Sequence, residues 1–291
     1  MITLHVPVDG KLVSQSATAS DGSLPPAVWF DLIEPTHDEI HAVEKALALE
    51  LPTREDMQEI EVSSRLYEED GALFLTATIM SKIETDKPET GAISFILTER
   101  ALITLRHTSP LSFQTCALRL QRQPSPNLTG DFVFISLLES IVDRIADVLE
   151  RTGSEIEAAA VSVFRAHERR KRNDPLRSTL QQIGRHGTLI SSLSESLVSL
   201  SRIVAFVSVA NTHIHKEHRG HFKTLARDIR SLQEHTTFLS QKINFILDAT
   251  LGLISIEQNG IVKIFSVAAV MFMPPTMVAS IYGMNFEIMP E

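Results

Sequence analysis

The chain has 291 residues, 43 % of them hydrophobic, and a formal net charge of −9. A sizeable core fits within that composition, and wholesale disorder is excluded. The acidic balance argues against a nucleic-acid binder, which needs clustered Lys and Arg to neutralise phosphate, and the single cysteine, Cys116, excludes an internal disulfide and suits a reducing compartment.

The N-terminus, MITLHVPVDGKLVS, lacks the basic stretch and apolar run of a signal peptide, which predicts a cytoplasmic N-terminal part. Residues 1–108 read as mixed strand and helix. ALFLTATIMS (72–81), AISFILT (92–98) and ALITLRH (101–107) are short apolar runs rich in β-branched residues, the last two separated by Glu99-Arg100 at a hairpin-like spacing. Thr36-His-Asp-Glu39 is a capping-box pattern with Ile40, Val43 and Leu47 at helical spacing behind it. A second short helix is expected over 54–60. The acidic run Glu68-Glu69-Asp70 reads as a turn.

From Leu111 the chain reads as helical: a segment over 111–122, a long one over 131–169, a break at Asn173-Asp174-Pro175, and another long helix over 176–211. The basic run RAHERRKRN (165–173) is expected at a solvated helix end. NTHIHKEHRGH (211–221) interrupts again and carries His213, His215, His218 and His221. Imidazole suits Zn, Co and Ni, but connections between helices commonly carry exposed histidines, so the role of this cluster stays open. A last helix runs from His218 to Tyr282, about 97 Å at ~1.5 Å per residue. That exceeds a globular helix and predicts a stalk entering a membrane. From Ile264 to Phe286 no residue is charged, and about 20 apolar residues span a bilayer core. Lys263 at the near edge, with Glu287 and Glu291 beyond, agrees with a cytoplasmic N-terminal side. The Pro274-Pro275 pair lies inside this span, where a kink is expected.

The span has two unlike faces. Ser255, Asn259, Val262, Ser266, Ala269, Met273, Thr276 and Ser280 form a stripe that is small or polar but for Met273. Ile261, Ile264, Phe265, Met271, Phe272 and Val278 are bulky and lipid-compatible. Such a stripe serves helix packing or lines a water-filled path. No phosphate-binding glycine loop, His-Glu-x-x-His pattern or activated cysteine is found, so neither an enzyme nor a nucleotide-driven pump is predicted.

Tyr282-Gly283-Met284-Asn285, directly after this helix and followed by Met289-Pro290-Glu291, resembles the signature of the CorA magnesium-transporter family. EIEVSSRLYEED (59–70) resembles the segment leading into that family's first domain sheet. KINFILDATLGLISIEQN (242–259) and IVKIFSVAAVMFMPPTMVASIYGMNF (261–286) resemble its stalk and first membrane helix. The resemblance implies a layered α/β (α+β) cytoplasmic domain, long stalk helices and a transmembrane helix, in a funnel-shaped homopentamer in the bacterial inner membrane. It divides the chain into a cytoplasmic α/β domain (1–108), a helical region (109–216), a stalk (217–260), a membrane helix (261–283) and the start of a periplasmic loop (284–291). A second membrane helix follows in the family, so the sequence reads as truncated before it.

By the same resemblance Gly283, Met284 and Asn285 form the selectivity filter, with Asn285 the selecting residue. Asn259, Val262, Met273 and Thr276 line the pore, with Met273 and Val262 at a hydrophobic gate. Asp248 lies near its cytoplasmic mouth, and Glu287 and Glu291 concentrate cations outside. The implied cargo is Mg²⁺, with Co²⁺ and Ni²⁺ as further passengers, and Mg²⁺ is also implied as a regulator through ligands that the motifs do not place. The implied partners are the other four subunits and membrane lipid, with no nucleic acid or nucleotide. The related zinc-transporting branch and a membrane-anchored scaffold are the alternatives.

Overall fold

Two Asp-Gly pairs make corners of the sheet. The computed structural model describes residues 1–17, 24–85, 88–125, 127–168, 174–210 and 213–283, and for 164–168 and 174–177 the backbone alone. Strand β1 (Ile2–Val8) turns through Asp9-Gly10 into β2 (Lys11–Ala17), and β4 (Leu66–Glu69) turns through Asp70-Gly71 into β5 (Ala72–Ser81). All four turn residues have positive φ, between 48° and 75°, as a two-residue hairpin matched to the strand twist requires. The run Glu68-Glu69-Asp70 therefore divides: two strand residues, then the corner.

With β3 (Trp29–Ile33), β6 (Glu89–Leu97) and β7 (Leu102–Arg106), these strands form one sheet of seven in the order β2-β1-β3-β7-β6-β5-β4. Neighbours are antiparallel except β3 and β7, which run parallel with Asp31 opposite Thr104 and Ile33 opposite Arg106. The runs at 72–81, 92–98 and 101–107 are thus β5, β6 and β7, and Glu99-Arg100 lies in the turn between the last two. The sequence reading missed β1 to β4.

Helices cover both faces. α1 (His37–Leu47) starts at the expected capping box, with the Thr36 and Glu39 side chains and backbone N–H groups paired reciprocally. α2 (Arg54–Gln58) has a second such box at Thr53 and Asp56; a single turn, α3 (Val62–Arg65), precedes β4. Val43 and Met57 join Leu4, Phe30, Leu32, Phe74, Ile96, Ile103 and Leu105 in one buried cluster. Period-two alternation sends Thr104 and Arg106 to the opposite face, where Phe95 meets Phe113 of α4 (Leu111–Arg122) and Phe134 of α5 (Gly130–Glu168), with ring centroids 6.3 and 5.7 Å apart. Gly130 is required at that seam: a Cβ there would come within 2.6 Å of the Ala101 carbonyl carbon.

The long helices α5, α6 (Asp174–Ala210) and α7 (Arg219–Tyr282) fall where the breakers placed them. The chain divides into two compact units, residues 1–156 with 184–241, and residues 157–183 with 242–291. The first holds the sheet. The second buries Val163, Ile183, Ile246 and Thr250, and Lys242 pairs with Glu157.

Candidate functional site

From Leu251 to Gly283 not one residue of α7 and its end is buried. Ile264, Phe265, Val270, Met271, Phe272 and Met273 each expose about two thirds or more of their surface. A helix surface this apolar, left open over so many turns, matches the solvent properties of lipid rather than water. A second helix, residues 178–210, is also long and apolar enough to cross a membrane. It buries Ile190, Leu193, Leu197, Leu200, Ile203 and Val204 within the protein, as the core helix of a folded domain does.

At 100° per residue, Asp248, Asn259, Val262, Met273 and Thr276 fall within an arc of roughly 100°, together with Ser255, Ser266, Ala269 and Ser280. These five predicted pore residues share one face of a single continuous helix. Gly283 follows it, its N–H donating to the Ala279 carbonyl at 2.9 Å. Met284, Asn285, Glu287 and Glu291 lie outside the described residues, as does the basic run from 169 to 173.

Three of the stripe's hydroxyls are satisfied within the helix. Ser266 donates to Val262 O at 2.9 Å, Ser280 to Thr276 O at 2.8 Å, and Thr276 to Phe272 O. Back-bonding of this kind lets a hydroxyl sit in an apolar setting without an unpaired donor. Pro274 and Pro275 remove two helix N–H groups. The carbonyls one turn earlier, Val270 and Met271, therefore lack their helix donors. Inside a bilayer such groups need a neighbouring helix or water. The stripe and these carbonyls suit a helix that adjoins other helices or an aqueous path.

Away from this helix, burial pushes the Cys116 thiol up to about 11, so it is protonated and inert. The histidines of the connection before α7 are not all solvent-facing, as the sequence suggested. The side chains of His213 and His218 are 6 % and 11 % exposed. A residue that sequence spacing gave no hint of, Asp131 in the first turn of α5, gathers two of them. Its Oδ2 lies 2.9 Å from His215 Nδ1 and 2.8 Å from His218 Nδ1, and accepts the His215 backbone N–H at 2.9 Å. Thr129 donates to its other oxygen. Burial alone would raise this acid. The hydrogen bonds from Thr129, His215 and His218 outweigh burial and hold it down to about 2.

A layered α/β domain joined to long helices, the last of them an exposed apolar helix with a small and polar stripe, defines an integral membrane protein with a large extramembrane part. The chain belongs to the CorA-like Mg²⁺ transporter family, whose family model matches residues 26–291. That family is one of transporters, not enzymes. A Magnesium transport protein CorA from Pasteurella multocida (strain Pm70) is 32 % identical over 291 residues, covering 100 % of this chain and 90 % of that protein. Two solved structures share the fold. The complete CorA magnesium transporter of Methanocaldococcus jannaschii has a TM-score of 0.76 at 18 % identity, over 100 % of this chain and 89 % of that one. The ZntB cytoplasmic domain from Vibrio parahaemolyticus has a TM-score of 0.63 at 12 % identity, over 86 % and 96 %.

Proposed function

We propose that the protein carries Mg²⁺ across the bacterial inner membrane, with its α/β domain in the cytoplasm and the α7 stripe facing the ion path. The observation that carries this reading is the single arc on α7 that holds Asp248, Asn259, Val262, Met273 and Thr276 along about 42 Å of helix. Its opposite side is bulky and apolar. One helix cannot enclose a path, so several copies must set their stripes face to face. The resemblance of the membrane helix and its Gly-Met-Asn turn to the CorA family implies five. Residues 217–260 would serve as the stalk and 261–283 as the span.

Mg²⁺ gives up its water reluctantly. A ring of Asn285 amides can accept hydrogen bonds from that water through Oδ1, and so recognise the hydrated ion without stripping it. Gly283 and Met284 would set the turn that presents the ring. Glu287 and Glu291 would raise the local cation concentration, and Met273 and Val262 would form the constriction that closes by dewetting. The ion gradient and membrane potential drive passage, and Co²⁺ and Ni²⁺ are small enough to follow. Mg²⁺ bound between the acidic cytoplasmic domains would also stabilise the closed assembly, by relieving repulsion among their carboxylates.

The test is ion flux into liposomes carrying the purified protein, with an Mg²⁺-sensitive dye inside. Mg²⁺ uptake that rises with an inside-negative potential is expected. Uptake of Zn²⁺ without Mg²⁺ would place the protein with the zinc branch, and no flux from a well-inserted protein would leave it an anchored scaffold. Mass measurement in detergent should give five copies; a stable monomer or dimer would refute the enclosing stripe.

A further inference from the structure

We propose that Asp131, His215 and His218 form a binding site for a divalent transition metal of the Zn²⁺ class, separate from the ion path. His215 and His218 are three residues apart across a turn closed by His218 N–H donating to His215 O at 2.9 Å, in which Lys216–His218 form a 3₁₀ helix. Residues at that spacing eclipse one another in such a turn, which is why two imidazoles meet one carboxylate. The three ligand atoms lie within 4.8 Å of one another.

The site is built rather than incidental. Asp131 is held from two sides, by the Thr129 hydroxyl and by the His215 backbone N–H, the outer support that fixes a ligand's direction. Gly130 sets the start of α5 against Ala101 and so places Asp131. The carboxylate and His218 are buried, while the His215 side chain is 58 % exposed and leaves a way in. A cleft of about 350 Å³ adjoins His218, lined also by His221, Glu139, Phe132 and Arg119.

Two imidazoles and one carboxylate select the metal. Mg²⁺ demands near-octahedral oxygen ligation, whereas imidazole suits Zn, Cu, Fe and Ni. Tetrahedral ligands at Zn distances stand about 3.3 Å apart, so the 2.8 and 2.9 Å carboxylate–imidazole spacings open by about half an ångström, while the two imidazoles, whose ligand atoms lie within 4.8 Å of each other, settle to the same separation. On binding, each neutral imidazole holds its proton on Nε2 and turns the Nδ1 lone pair to the ion, and a water takes the fourth position. The bound ion would join the start of α5 to the turn that leads into α7.

The experiment is competitive Zn²⁺ titration against a chromophoric chelator, with the purified full chain in detergent and Mg²⁺ in large excess. One Zn²⁺ per chain is expected to remain bound, with His215→Ala and His218→Ala each weakening it by about tenfold or more. Because His218→Ala can loosen a buried turn, the unmodified protein supplies a second readout. Zn²⁺ should protect His215 from diethyl pyrocarbonate while His41, whose side chain is 82 % exposed, stays reactive. No Zn²⁺ retained over Mg²⁺, unchanged affinity in His215→Ala, or no protection of His215 would each overturn the site.

Discussion

Arg106 grips Asp31 fork to fork, Nε to Oδ1 at 2.9 Å and Nη2 to Oδ2 at 2.8 Å, across the only parallel pairing among the described strands. Both side chains are almost fully buried. Thr104 donates to Asp31 Oδ1 and accepts from the Trp29 indole, while the Arg106 guanidinium lies 4.4 Å over the Phe113 ring. Removing one partner leaves the other's charge uncompensated in the core. Arg106→Leu should therefore cost about 3–5 kcal/mol. Trp29 is the chain's only tryptophan, so its fluorescence reports denaturant unfolding of this network directly. A loss under about 1 kcal/mol would mean that the pair is hydrated in solution.

His5 stacks on Trp29 at 4.1 Å and pairs with Ser14. Burial lowers its pKa to about 4, with the Asp31 charge opposing and the Arg106 charge assisting. Between about 4 and 6.5 the unfolded chain binds a proton that the folded one refuses, so stability falls as pH falls through that window. The slope approaches 1.4 kcal/mol per pH unit. His107 and His186 are shifted the same way by burial. His5→Gln should flatten part of the loss between about pH 7 and about pH 5, seen as a smaller drop in denaturation midpoint. An unchanged drop would assign the slope to other groups.

Gly130→Ala should destabilise the sheet domain, because the new methyl meets the backbone of Ala101 and Leu102, which cannot swing aside as a side chain can. Overpacking of this kind costs about 1–3 kcal/mol. If the proposed metal site is correct, the same variant should also weaken Zn²⁺ binding, since Asp131 is the next residue. Calorimetric unfolding with and without Zn²⁺ separates the two effects.

Asn285→Ala should leave the fold and the assembly near wild type while Mg²⁺ uptake is largely lost or no longer selective. It removes one convergent acceptor per copy and nothing from the helix. Asn285→Asp keeps an acceptor but adds charge, so binding should tighten and passage slow. Dye-based liposome flux with Mg²⁺ and Ca²⁺ in parallel reads both. Unchanged rate and preference in Asn285→Ala would put the filter elsewhere.

The last helix was legible because nothing between His218 and Tyr282 stops a helix outright, and its two faces could be read by counting. The capping box at Thr36 was legible for the same local reason. Strand β2 was not. It exposes most of its length and buries only Leu12, so it lacks the alternation that marks a strand. Strand β3 was hidden by Asp31, a charge in mid-strand whose partner lies 75 residues away. The histidine cluster showed its spacing but not its meaning, since Asp131 stands 84 residues from His215. Local pattern reaches caps, breakers and faces; long-range polar pairing reaches none of them.

Every strand of the sheet lies at or before Arg106, whereas the uncovered run of α7 begins only at Leu251. Ribosomes add roughly 5–20 residues per second, and domains fold as they emerge. The parallel closure of β3 on β7 can thus be complete several seconds before the first lipid-seeking residue leaves the tunnel. Insertion machinery then meets a chain whose leading half is already a folded globule too wide to thread. The timing of synthesis alone would hold that half on the side where it was made, and the topology would be locked before the greasy segment has any choice of direction.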